Sequence, residues 1–143
     1  MKHKRIADLA KIFLALSDKT RLRLIDLMRN GEVSVGFLAD SLGESQPKTS
    51  RHLAYLRNAG VVTTRREGKW IFYAIEKPTN AAAENILLAT LRSLAISTGE
   101  TASLVEHRYA DVVFGNQMAN AGDTLSKAYM YEAEDEEFPV YLL

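Results

Sequence analysis

Apolar residues recur at every third or fourth position through the first 58 residues, interrupted by serine, aspartate or glycine. That spacing is typical of amphipathic helices. Asp18, Ser34 and Ser45 can each accept backbone N–H bonds at a helix start, and Gly31 and Gly43 can end a helix. The pattern predicts four helices: Lys4 to Leu16, Lys19 to about Asn30, Val35 to about Leu42, and Gln46 to Asn58.

Two segments rich in β-branched and aromatic residues follow, at 61–66 and 69–75. Glu67 and Gly68 between them are a candidate two-residue hairpin turn. Trp70, Phe72 and Tyr73 can stack on bases or pack in a core, and we favour core packing because a hairpin must bury one face. A short helix, a tight turn, a second helix and a hairpin in this order indicate a winged helix-turn-helix fold.

The helix at 46–58 carries the candidate chemistry. At 100° per residue, one face of this helix carries Lys48, Arg51, His52 and Tyr55. Leu53 and Leu56 define another face that can anchor in the core. An α-helix fits the DNA major groove, where basic and amide side chains meet base edges. We predict DNA contacts from this helix by Gln46, Lys48, Thr49, Ser50, Arg51 and His52, with Thr49 nearest the leucine side.

The hairpin tip and the charge distribution favour the same partner. Arg65, Arg66 and Lys69 cluster at the tip, where they can lie along phosphates or enter a minor groove. Residues 1–77 carry 15 lysines and arginines against 8 acidic residues, whereas residues 78–143 carry 3 against 10. The zero net charge therefore averages a basic first half, suited to nucleic acid, and an acidic second half.

The C-terminal third is less regular. Residues from Glu100 to about Phe114 have helical spacing, and Asn116 to Tyr131 predict a further irregular helix. The acidic run 132–137 and the apolar end 138–143 form either a frayed, solvated tail, which we favour, or a segment whose apolar end docks on the fold or on a partner while its acidic run competes with DNA for the basic face. We divide the chain into a DNA-binding and dimerisation domain at 1–98 and a helical extension with an acidic tail at 99–143.

Several function classes are disfavoured by what the chain lacks. It contains no cysteine, which excludes disulfides and thiolate metal sites. Asp8 and Lys11 interrupt the apolar run that a signal peptide needs after its basic start. No apolar run is long enough to span a bilayer. No nucleophile–base pair, phosphate-binding glycine loop or metal set indicates an enzyme. We expect a cytoplasmic protein with no membrane partner and no catalytic residues.

Three motifs resemble the ArsR/SmtB-type winged helix-turn-helix transcriptional regulators, over about Ile12 to Ile75. The first two motifs are the segments 15–22 and 45–53. The third combines the segments 56–62 and 66–70 with Tyr73. The resemblance implies a homodimer that binds an imperfect inverted repeat in double-stranded DNA and blocks transcription until a signal releases it. It also implies that Lys4–Leu16 and the helix between Pro78 and about Thr98 build the dimer interface.

The departures from this family concern the sensor. Where many members carry two cysteines flanking a valine, this chain has Ser34 and Gly36, and residues 78–98 contain no histidine for the family's zinc site. His107, near Glu106 and Asp111, is more typical of a surface group than of a ligand. We therefore predict no metal and no cofactor, and leave any effector unidentified.

The sequence thus predicts a mainly α, homodimeric winged helix-turn-helix protein with a small β-hairpin and a C-terminal helical extension. Its predicted function is a DNA-binding transcriptional regulator, a repressor acting through the helix at 46–58 and the hairpin at 61–75. The alternative is a winged-helix protein-interaction module that does not bind DNA. That alternative leaves the basic helix and hairpin tip unexplained.

Overall fold

The computed structural model describes residues 2–120, with side chains described through residue 115. This part of the chain is mainly helical, with a small antiparallel sheet, which confirms the predicted fold class. Its elements are α1 (Lys2–Leu16), α2 (Lys19–Met28), β1 (Val33–Ser34), α3 (Val35–Leu42), α4 (Gln46–Asn58), β2 (Val62–Glu67), β3 (Trp70–Ile75), α5 (Ala81–Ala95), a 3-10 turn (Ile96–Thr98) and α6 (Ala102–Asn120).

The predicted caps at Asp18, Ser34 and Ser45 and the stop at Gly43 are confirmed, but α2 ends at Met28 with Arg29 as its C-cap, so the predicted end of that helix at Gly31 is wrong. Oδ2 of Asp18 accepts from the backbone N–H of Arg21 at 3.0 Å, and the hydroxyls of Ser34 and Ser45 accept at 3.3 Å from the N–H groups three residues on. Gly43 ends α3 with a φ of 66°, in the left-handed region that glycine adopts without a steric penalty. These caps fix both ends of the tight turn between α3 and α4.

The sheet differs from the prediction in two ways. Val33 and Ser34 form a two-residue strand against β3, giving the order β1-β3-β2, and no periodicity in so short a segment predicts it. The hairpin turn also lies one residue later than expected, because Glu67 pairs with Trp70 and leaves Gly68 and Lys69 as the loop. Gly68 has a φ of 60°, as the first loop residue of a type II′ turn requires.

One hydrophobic core joins the helices to the inner face of the sheet. α2 lies at its centre, with Leu24, Ile25 and Met28 fully buried. From α4, Leu53 and Leu56 enter the same core, and from β3 Ile71, Tyr73 and Ile75 do so. The anchoring face predicted for α4 is thereby confirmed.

α6 is one continuous helix to Asn120, so the predicted break between a helix ending near Phe114 and another starting at Asn116 is wrong. It packs on α5 and β3, with Val105 and Tyr109 in the common core. The rest of the predicted irregular helix, the acidic run 132–137 and the apolar end 138–143 lie outside the described residues. The division of the chain at residue 98 stays a prediction.

An ion-pair cluster ties the start of this C-terminal region to α2. The guanidinium of Arg29 donates to Oε2 of Glu100 at 3.0 Å, and Arg108 reaches the same oxygen at 3.0 Å. Burial raises the pKa of Glu100, but hydrogen bonds from Arg29 and Thr98 outweigh it and hold that pKa below its ordinary value. Among the described residues, no helix is long and apolar enough to cross a membrane.

Candidate nucleic-acid interface

The two faces of α4 have opposite roles. Leu53 and Leu56 are completely buried, whereas Lys48, Arg51 and Tyr55 are exposed. The three exposed residues, at spacings of three and four, form one stripe along the helix. We call them the recognition stripe. It holds two cations and one aromatic hydroxyl group, which can donate to phosphates and to acceptors on base edges.

Two predicted contacts of α4 point away from this stripe. Thr49 and Ser50 are buried, with exposures of 0% and 1%. The hydroxyl of Thr49 donates to the backbone oxygen of Ser45 at 2.9 Å, and the hydroxyl of Ser50 is buried without a hydrogen-bond partner. Their contact with DNA stays a prediction, but their placement does not support it. Gln46 is half-buried, and its Oε1 is buried without a partner.

His52 faces α2 rather than the open side of the helix. Its Nδ1 lies 3.3 Å from a terminal nitrogen of Arg21 and 3.7 Å from Oδ2 of Asp18. The backbone N–H of Arg21 holds the pKa of the Asp18 carboxyl below its usual value. His52 is therefore packed among groups at the start of α2, with only part of its ring open to a ligand.

Lys48 forms an ion pair with Glu44, one helical turn before it, at 3.1 Å. Both side chains are substantially exposed, and exposed pairs of this kind contribute only about 0–1 kcal/mol. A phosphate can therefore replace the Glu44 carboxylate. Arg51 is exposed on the same stripe without a carboxylate neighbour at this distance in the described part of the chain.

Arg65 on the wing is occupied by interactions within the protein. Its guanidinium donates to both oxygens of Glu32, at 2.7 and 3.1 Å, and to Glu67 at 2.8 Å, while lying 4.7 Å above the Phe72 ring. The Glu32 hydrogen bonds raise the pKa of Arg65 against the opposing effect of burial. Its proposed contact with phosphate is untested, but this geometry favours a structural role.

The other two wing cations lie at the tip. Arg66 and Lys69 are both exposed, and Nε of Arg66 donates to the backbone oxygen of Gly68 at 3.1 Å, which stiffens the turn. The basic tip predicted from the sequence is thus reduced from three cations to two. A tip with two cations remains suited to a phosphate backbone.

The wing aromatics pack as expected. Tyr73 and Phe72 are buried, and burial raises the pKa of the Tyr73 hydroxyl to about 12. Trp70 is half-buried and stacks on Phe72 with ring centroids 6.3 Å apart. Core packing is confirmed for Phe72 and Tyr73.

The residues that replace the family's metal ligands have other roles. Ser34 is buried and caps α3, and Gly36 is buried within that helix. His107 is exposed and lies 3.6 Å from Asp111. Among the described residues, no three histidine, aspartate or glutamate side chains gather as a metal site would require. The absence of a sensor metal stays a prediction.

Comparison with known proteins places this arrangement in a family. Residues 18–64 match the model described as bacterial regulatory protein, arsR family. The arsenic resistance transcriptional regulator ArsR2 of Pseudomonas putida is 40% identical over 83 residues, which are 57% of this chain and 72% of that protein. The chain belongs to the ArsR family. It is therefore a transcriptional regulator, and the interaction-module alternative is not favoured.

Two further similar proteins bear on the fold and the regulatory role. The biofilm growth-associated repressor of Xylella fastidiosa is 39% identical over 84 residues, covering 59% of this chain and 74% of the repressor. A homodimeric winged helix-turn-helix DNA-binding domain from Mycobacterium bovis has a TM-score of 0.55 at 27% identity, covering 68% and 86% of the two chains. The winged helix-turn-helix fold is confirmed.

Sequence reasoning omitted two residues from the site. Tyr55 falls on the predicted open face, but it is absent from the predicted contacts, and the structure leaves it 53% exposed. Arg21 is buried, and its guanidinium lies 4.6 Å above the Tyr55 ring. A helical wheel could have found Tyr55. Arg21 lies 34 positions earlier in the chain, and only the packing of α2 against α4 reveals it.

Proposed function

We propose that this ArsR-family chain represses transcription by binding an inverted-repeat operator as a homodimer. The observation that carries the proposal is the recognition stripe, because α4 is anchored by leucines while Lys48, Arg51 and Tyr55 remain open. α4 lies in the major groove, and the wing tip contacts neighbouring phosphates through Arg66 and Lys69. The chain acts by binding and not by catalysis.

The proposed dimer rests on unpartnered apolar surface. Ile6 and Phe13 on α1 are each 58% exposed, seven residues apart and so on one side of the helix. The relative from Mycobacterium bovis is a homodimer. A two-fold dimer offers two α4 helices to half-sites one helical turn apart, about 34–36 Å. We assign DNA binding and dimerisation to residues 1–98 and treat 99–143 as an extension.

The proposal is tested by fluorescence anisotropy with a duplex from the chain's own promoter and a scrambled duplex of equal length. We expect specific binding whose affinity falls with salt by a logarithmic slope of about 0.9 for each phosphate contacted. Arg51→Ala is expected to weaken promoter binding by about 5- to 150-fold, equivalent to about 1–3 kcal/mol.

Lys77→Ala is the charge-matched control, since Lys77 is exposed beyond the wing and pairs only loosely with Glu84, at 3.8 Å. It is expected to change promoter affinity by less than about twofold. Equal affinity of the unaltered protein for both duplexes would contradict specific operator binding. If the Arg51→Ala protein bound the promoter as tightly as the Lys77→Ala control, α4 would not be the recognition element.

A further inference from the structure

Arg21 joins three elements through one side chain. It is only 9% exposed, although it carries a charge and extends from the first turn of α2. Nε donates to the backbone oxygen of Ala15 at 2.7 Å, and a terminal nitrogen donates to that of Leu14 at 3.0 Å. The other terminal nitrogen lies 3.3 Å from Nδ1 of His52.

The contacts with Leu14 and Ala15 fix Arg21 to the end of α1. Both oxygens belong to the last turn of that helix, where carbonyl groups lack partners within the helix. A cation at a helix C-terminus also interacts favourably with the helix dipole. The guanidinium therefore helps to cap α1 beside Ser17, whose N–H and hydroxyl also donate to the Leu14 oxygen, and its fork geometry lets it hold two carbonyl oxygens at once.

The contacts with His52 and Tyr55 fix the same guanidinium to α4. A guanidinium only donates hydrogen bonds, so a hydrogen bond across this 3.3 Å contact requires Nδ1 of His52 to be the acceptor. The guanidinium also lies over the Tyr55 ring, 4.6 Å from its centroid. Tyr55 belongs to the recognition stripe, so Arg21 supports this stripe from the protein side of α4. We call the contacts of Arg21 with α1 and with His52 and Tyr55 on α4 the brace.

We propose that Arg21 is a positioning residue for DNA recognition, which fixes the orientation of α4 relative to α1. This inference rests on the proposed function, in which α1 contributes to the dimer and α4 contacts bases. Base contacts depend on the placement of the helix, whereas non-specific attraction to phosphates depends mainly on charge. Loss of the brace should therefore reduce discrimination between DNA sequences more than it reduces binding to DNA in general.

Arg21→Lys is the first test, because lysine keeps the charge but cannot form the fork. We expect promoter affinity to fall about tenfold, the equivalent of roughly one lost base contact, while affinity for the scrambled duplex changes less than about twofold. Unchanged promoter affinity, or an equal fall for both duplexes, would overturn the proposal. A wild-type protein that did not distinguish the duplexes would instead refute the proposed function.

Two matched substitutions at His52 test the contact between Arg21 and α4, and they leave Arg21 and its hydrogen bonds to α1 intact. The Oδ1 atom of asparagine stands in for the Nδ1 acceptor of histidine, and leucine offers no acceptor. His52→Leu is expected to bind the promoter about tenfold more weakly than His52→Asn, with a smaller difference on the scrambled duplex. Equal losses in both variants, or none in either, would contradict positioning through this bond.

A double-mutant cycle separates positioning from a general effect on the fold. Arg21→Lys, Tyr55→Leu and the double variant are compared for promoter affinity at a temperature at which circular dichroism shows all three folded. If Arg21 acts through Tyr55, the double variant binds about as weakly as the weaker single variant. If the fold-losses in promoter affinity of the two single variants multiply in the double variant, the two residues act independently and Arg21 does not act through Tyr55.

Discussion

The recognition helix and the wing each carry three lysines or arginines, but the fold uses them differently. On α4, Lys48 and Arg51 are exposed on one stripe, and the nearest carboxylate to Lys48 is a weak surface partner. On the wing, Arg65 is held by Glu32, a residue 33 positions earlier in the chain. A basic residue is therefore less available to DNA where the fold packs it against a largely buried carboxylate, as with Arg65, than where its carboxylate partner is exposed, as with Lys48.

The largest expected effect separates the two faces of α4. Leu56→Ala removes a fully buried side chain and leaves a cavity, so we expect the free energy of unfolding to fall by about 2–5 kcal/mol. Arg51→Ala on the open face should change it by less than about 0.5 kcal/mol. Urea denaturation followed by circular dichroism measures both. Similar losses in the two variants would mean that the faces are not distinct.

The next effect concerns the wing. Arg65→Ala leaves the largely buried Glu32 carboxylate without its partner, and we expect a loss of about 1–3 kcal/mol in the free energy of unfolding. Arg66→Ala, one residue later and exposed, is the matched control and should cost less than about 0.5 kcal/mol. The structural role assigned to Arg65 would be refuted if both variants were equally stable.

The start of α2 supports α4 and gives a pH-dependent test. Because the folded-state pKa of Asp18 is lowered, its contribution is complete above its unfolded pKa of about 3.9 and is lost as the pH falls through the folded value. Asp18→Ala is expected to cost about 1 kcal/mol at pH 7, and less as the pH falls from about 5 to 3. Denaturation at several pH values measures this, and a cost independent of pH would contradict it.

The smallest expected effect tests which wing cations contact DNA phosphates. Lys69→Ala at the exposed turn should leave stability nearly unchanged and reduce the salt slope of promoter binding by about 1, as expected for one lost phosphate contact. Arg65→Ala should leave that slope unaltered, since the guanidinium of Arg65 is held by Glu32 and Glu67. Binding measured across a salt series distinguishes the two variants. An equal reduction of the salt slope in both variants would show that Arg65 also contacts DNA phosphates.

Most of the fold followed from local signals. The caps at Asp18, Ser34 and Ser45 and the stop at Gly43 act within four residues, so the ends of α3 and the whole of α4 could be predicted. β1 could not, because two residues show no periodicity and become a strand only by pairing with β3. The hairpin register was one residue off, since it depends on which side of Gly68 the turn begins.

The site was less predictable than the fold. A helical wheel places Lys48 and Arg51 outside and Leu53 inside, but it leaves Thr49 and Ser50 at the margin, where the packing of the neighbouring helices decides. The partners of Arg65 and His52 come from α2 and the loop after it. Such contacts join residues more than 30 positions apart, and a single sequence carries no record of them.

The ion pair between Arg29 and Glu100 bears on where the chain can be cut. Arg29 is 8% exposed, so a chain ending at Thr98 would leave a buried guanidinium without its Glu100 partner and uncover the core residues that α6 shields. Because α6 shares the common core with the preceding elements, the predicted division at residue 98 does not separate two hydrophobic cores. A minimal fragment for structural work should therefore extend through α6 and not end at residue 98.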